Sequence, residues 1–132
     1  MGWRSAWAEL KRRSGRRGAA LTLFAAIDFG YGSGLAAGYV PAFADQLTPQ
    51  LPLTAWGWAW IAVGVVCLTG VPLSRDQFQY AAAALMKAAW ATFITVAWIH
   101  RSIPGGWTAA VAWAGIAALV VLISGWPEAR DP

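Results

Sequence analysis

Four apolar blocks, at about 18–40, 54–73, 79–99 and 107–126, take up most of this 132-residue chain and decide what it can become. A helix that crosses a bilayer needs about 20 mostly apolar residues, because the hydrocarbon core is about 30 Å thick and the helix rises about 1.5 Å per residue. Each block meets that length. The blocks are continuous rather than alternating, which favours helices over barrel strands, since a spanning backbone must satisfy its own hydrogen bonds. The expected fold class is all-α, a polytopic membrane protein with four transmembrane helices in an antiparallel bundle. A single water-soluble domain is excluded by composition: 12% of residues are charged, against about 25% in soluble domains. The blocks also leave no room for a globular catalytic domain. The first is too long for the apolar core of a signal peptide, and further spans follow it.

Local punctuation agrees with these limits. Pro41, Pro49 and Pro52 stiffen the first connection, and Thr54 is placed to cap the second helix. Pro72 ends that helix, and Ser74 with Gln77 has the spacing of a capping box opening the third. Pro104, Gly105 and Gly106 interrupt the chain before the fourth span, and Pro127 closes it, leaving 127–132 as a tail. Short connections make sequential helices antiparallel neighbours.

The net charge of +4 is unevenly placed. Arg4, Lys11, Arg12, Arg13, Arg16 and Arg17 precede the first span, which identifies the basicity as a topology signal rather than a nucleic-acid site. With the N-terminus inside, Arg75 and Arg130 join these six on the cytoplasmic side, and only Arg101 lies outside. The positive-inside rule therefore puts both termini in the cytoplasm of a cell whose inner membrane holds the protein. Within residues 1–17, Trp3, Trp7 and Leu10 recur at i, i+4 and i+7 with Arg4, Glu9, Lys11 and Arg12 on other faces. That pattern predicts a short interfacial helix on the cytoplasmic leaflet, its Arg12, Arg13, Arg16 and Arg17 toward lipid headgroups. Trp56, Trp58, Trp98 and Trp107 mark the outer boundary and Trp126 the inner one.

Two features of the first span point beyond topology. Gly18, Thr22, Ala26, Gly30, Gly34 and Gly38 form a ridge of small residues at four-residue spacing, which lets another helix backbone approach closely. The simpler expectation is packing against a helix of the same chain, and contact within a homo-oligomer is the alternative. Asp28 points roughly opposite this ridge, so the first helix is expected to have two faces to bury and a central position. Counted from the cytoplasmic ends, Asp28 and Lys87 lie at matching depths, and an intramembrane acid is costly unless paired, protonated or wet. The simpler assignment is a buried salt bridge that sets helix register. The functional alternative is a proton- or ion-responsive element. Tyr31 is within reach of Asp28, and Trp90 is placed for a cation–π contact with Lys87.

Nothing else suggests catalysis. Cys67 is the only cysteine and His100 the only histidine, so no disulfide or metal site is expected. There is no nucleophile triad, no phosphate-binding loop and no extramembrane carboxylate pair, so neither an enzyme nor a cofactor is expected.

Arg16-Arg17-Gly18, Gly64-Val65-Val66-Cys67-Leu68, Gly106-Trp107 and Ser124-Gly125-Trp126-Pro127-Glu128 resemble uncharacterised small four-span membrane proteins of high-GC actinobacteria and their phages. The resemblance implies a holin-like function: accumulation in the cytoplasmic membrane followed by assembly into a permeabilising lesion. The leading expectation is thus a self-associating membrane protein whose partners are the lipid bilayer and other copies of itself, with no nucleic acid. The chain is also similar to the small multidrug-resistance transporters in its four short spans and first-span acid, Asp28. It departs from them in using Asp for Glu and in placing Lys87 where it neutralises that acid. A third possibility is an adaptor that recruits a cytoplasmic partner through residues 1–17.

Overall fold

The computed structural model describes residues 2–39, 52–100 and 104–127, apart from the side chains at 10–14. Four helices follow one another: α1 (Trp3–Ala36), α2 (Leu53–Gly70), α3 (Gln77–Ile99) and α4 (Gly106–Ser124). The described residues contain no strand. α1 is broken at Gly15, which divides an N-terminal arm from a span, Gly15–Ala36, of 22 residues. That span and α2, α3 and α4, of 18, 23 and 19 residues, are each long and apolar enough to cross a membrane. The protein is a small multi-pass membrane protein.

α1, α2 and α3 each bury a narrow stripe that repeats every three or four residues. On α1 the stripe is Gly18, Leu21, Ala25, Asp28, Gly32 and Leu35; on α3 it is Tyr80, Ala83, Lys87, Trp90, Ile94 and Ala97. α2 contributes Leu53, Gly57, Trp60, Gly64, Cys67 and Gly70. A repeat averaging 3.5 residues keeps the same seam facing its neighbour along the whole length, as in coiled coils. α1 packs chiefly on α2 and α3 on α4, so the bundle consists of two hairpin-like pairs. Glycine permits the closest approach in the first pair. A Cβ on Gly32 would stand 2.7 Å from the carbonyl oxygen of Gly57, and one on Gly57 would meet the backbone nitrogen of Ala36. Further along, a Cβ on Gly64 would be 3.3 Å from Asp28 Cβ, and one on Gly70 would be 2.8 Å from Leu21 Cδ1. The pairing runs antiparallel.

Two apolar clusters fill the interior. One, at the end where α4 begins, gathers Leu35, Trp60, Trp90, Ile94 and Ala110 with Tyr31, Trp56 and Trp113. The other, toward the start of the α1 span, gathers Leu21, Phe24, Ala25, Cys67, Tyr80 and Val120. Asp28 and Lys87 lie between them. We call these the apical and basal ends of the bundle.

The helix starts differ from those expected. α2 begins at Leu53 after Pro52, with no side-chain cap, so Thr54 sits inside the first turn. The expected capping box does not form either: Asp76, not Ser74, precedes α3 and makes no side-chain cap, because its carboxylate is engaged by Arg17. Gly105 adopts φ 72, a left-handed turn that favours glycine, before α4. α2 and α4 end at Gly70 and Ser124, ahead of Pro72 and Pro127. Pro41, Pro49, Arg101 and most of the tail lie outside the described residues.

Candidate functional site

The bundle's one fully buried ion pair among the described residues joins α1 to α3. Lys87 Nζ donates to Asp28 Oδ1 at 2.5 Å, and both side chains are 0% exposed. The spacing that made the seam brings them together: each occupies a stripe position, and their equal distance from the basal end fixes the depth. Cys67 Sγ donates to the second carboxylate oxygen at 3.8 Å. The ammonium also lies 5.3 Å from the Trp60 ring centroid and 5.7 Å from that of Phe24. Rings supply cation–π stabilisation to a charge withdrawn from water. The aromatic partners are therefore Trp60 and Phe24, not Trp90. Trp90 instead donates its indole N–H to Tyr31 Oη at 2.8 Å, and the bonds to Asp28 come from Lys87 and Cys67.

These bonds belong to a ladder. α1 and α3 make little backbone contact, yet three polar links join them in sequence along the bundle. Tyr80 donates to the carbonyl of Arg17 at 2.8 Å, Lys87 to Asp28, and Trp90 to Tyr31. Each link is made across the bundle between the two pairs, and each is specific in register, because sliding one helix by a residue would strand a buried polar group. Sequence reasoning found only the middle rung. Tyr80 stands seven residues before Lys87 and on the same stripe, a signal available in the heptad spacing.

A second polar group closes the basal end. Arg17 forms a forked ion pair with Asp76, Nε to Oδ2 at 3.2 Å and Nη2 to Oδ1. Its Nη1 donates to the carbonyl of Trp126 at 3.2 Å, and its guanidinium stacks over Tyr80 at 5.2 Å. One arginine thereby ties α1 to the α2–α3 connection and the end of α4. Its assignment to lipid headgroups is corrected: a planar guanidinium with a buried carboxylate in reach is held by that carboxylate. Arg16 is exposed, while the side chains of Arg12 and Arg13 lie outside the described residues.

Most of the ridge on α1 does not pack against the other described residues of the chain. Ala26, Gly30 and Gly38 are exposed, Gly34 is half-exposed, and a Cβ on Gly30 or Gly34 would find nothing within 4 Å. Gly18 is the exception and is buried. A row at four-residue spacing drifts about 40° per step around a helix, so Gly18 stands about 120° from Gly30 and falls on the seam. The expected central position of α1 is corrected too: one face is buried and the other is open. The glycines that pack α1 on α2 are Gly32, Gly57, Gly64 and Gly70.

Trp3, Trp7, Trp58, Trp98, Trp107 and Trp126 are exposed, as boundary residues should be. Trp56 is not among them. It turns inward, with ring centroids 5.0 Å from Phe93 and 5.9 Å from Trp90. Clefts of about 570, 370 and 380 Å³ open on the flanks of α3 and α4, the largest between Trp98 and Trp107, and none is lined by Asp28 or Lys87. No group of three metal-ligating side chains occurs among the described residues. The chain matches no protein-family model, no curated protein and no solved structure.

Proposed function

We propose that this protein is a self-associating integral membrane protein, assembled through the open face of α1, and that the assembly permeabilises the membrane in a holin-like way. The observation that carries self-association is the ridge: Gly30 and Gly34 present bare backbone where lipid would otherwise lie. Close helix contact is what small residues make possible in a bilayer, where lipid offers no hydrophobic contrast. Permeabilisation rests on the resemblance described above and on four candidate spans that make up most of the chain. The positive-inside count supports cytoplasmic termini, the orientation this reading takes.

Proton-coupled transport through Asp28 is disfavoured by the same geometry. The carboxylate is fully buried and already bonded to Lys87 and Cys67, and the flanking clefts do not reach it. A transport acid needs access to water.

Expression from a titratable promoter, with membrane potential and viability followed beside Gly34→Leu at matched membrane levels, tests the proposal. The unaltered chain should depolarise cells abruptly above a threshold, and Gly34→Leu should not. Absence of depolarisation at every level would remove the permeabilising activity. Energy transfer between labelled copies in liposomes reads association separately, and equal transfer in the Gly34→Leu variant would remove α1 as the assembly face.

A further inference from the structure

The N-terminal arm lies outside both the seam and the ridge of α1. Residues 2–8 are all exposed, and the arm leaves the span at Gly15, whose φ 54 and ψ −168 are closed to residues that carry a Cβ except at a cost. Two residues later Arg17 is tied to Asp76 and to the Trp126 carbonyl, which anchors the break to the basal ends of the other helices. The arm therefore departs at the level where the spans begin. A straight helix through position 15 would instead carry Trp3 about 18 Å further along the axis, away from any bilayer that the spans occupy.

The arm's side chains suit that level. Trp3 and Trp7 are 78% and 59% exposed, and their rings stack with centroids 6.2 Å apart, so two indoles form one uncovered apolar plate. Indoles favour the boundary between headgroups and acyl chains. The sequence around the plate holds Arg4, Lys11, Arg12, Arg13 and Arg16 against a single acid, Glu9. This combination of apolar plate and excess cations fits an anionic lipid surface, and the membrane is continuous with the span that the arm adjoins.

We infer that the arm of α1 docks on the anionic phospholipid headgroups of the leaflet at the basal end, with Gly15 turning it into the plane of that leaflet. The inference rests on the chain spanning a bilayer and not on self-association, so either can fail without the other. The test uses the full chain with Cys67→Ala and an environment-sensitive fluorophore on Ala6→Cys. It is reconstituted in phosphatidylcholine vesicles with or without about 30% phosphatidylglycerol. In the anionic vesicles the fluorophore should report an apolar setting and be quenched by brominated lipid, at least about threefold more than in phosphatidylcholine alone, and high salt should abolish the difference. Trp3→Ser with Trp7→Ser should return emission to its value in water, as should Gly15→Ala, while thermal stability of the bundle stays unchanged. Equal emission in both vesicles, indifference to the two tryptophans, or emission that follows protein density rather than lipid charge would each overturn the proposal.

Discussion

Gly32 and its neighbours Gly30 and Gly34 stand two residues apart on α1 and meet opposite surroundings. At Gly32 there is no space for a methyl group, since a Cβ would lie 2.7 Å from the Gly57 oxygen and 2.8 Å from Trp60 Cβ. At Gly30 and Gly34 there is nothing within 4 Å. A step of two residues turns a helix by about 200°, so one face is pressed against α2 while the other looks out. The comparison shows that a GxxxG pattern reports capacity for close approach without saying which neighbour uses it. The seam face also holds Asp28, so its glycines and its ion pair are parts of one packed surface.

Substitutions on the two faces should separate by size of effect. The largest should come from breaking the ion pair on the seam. Lys87→Met or Asp28→Asn alone leaves a buried partner uncompensated, and each should cost about 3–5 kcal/mol, read by unfolding in detergent or bicelles. The double variant should recover much of that loss, because neither side chain is then left as a buried charge without its counter-ion. A double variant no more stable than either single would show that the pair is not what couples α1 to α3.

Overpacking the seam ranks next. Gly57→Val places a side chain against the Ala36 backbone, which cannot move as a flexible side-chain tip would, and should cost about 1–3 kcal/mol or more. Gly30→Val on the open face should stay within about 0.5 kcal/mol by the same assay. Equal losses at the two positions would abolish the distinction between the faces. Arg17→Gln should cost about 1–3 kcal/mol, because it leaves the buried Asp76 carboxylate without its counter-ion. The loss should shrink in an Asp76→Asn background, where the carboxylate is already gone. Smallest in stability is Gly34→Leu, which should leave unfolding unchanged within about 0.5 kcal/mol while lowering energy transfer between copies. A variant that lost stability but kept association would assign Gly34 to the seam.

Much of this architecture was legible without coordinates. The expected spans end within a few residues of the observed ones, and the Asp28–Lys87 pair follows from counting residues to equal depth. Other features were not legible, for identifiable reasons. Ser74 and Gln77 have the spacing of a capping box, but the competing demand of Arg17 for Asp76 is made across 59 positions of sequence. Trp56 and Trp58 look alike as boundary tryptophans, yet they point to different sides of α2, and only Trp56 meets Phe93 and Trp90. Arg17 reads as one of several basic anchors because spacing carries no record of a carboxylate on another helix. Packing within the chain is the simpler expectation for the ridge, with contact between copies as the alternative, because the seam of period 3.5, which also runs through Gly32, is masked by the more regular four-residue row.

The sequence by itself determined how many times the chain can cross a membrane and at what depth its charges sit, because bilayer thickness and helical rise are constants independent of neighbours. Tertiary structure decided how each helix is rotated about its own axis, and hence which glycines touch, which tryptophans are buried and which arginine is tied down. Rotation is settled by the packing of all four seams together, through contacts between residues far apart in the chain, and no single apolar block contains that information.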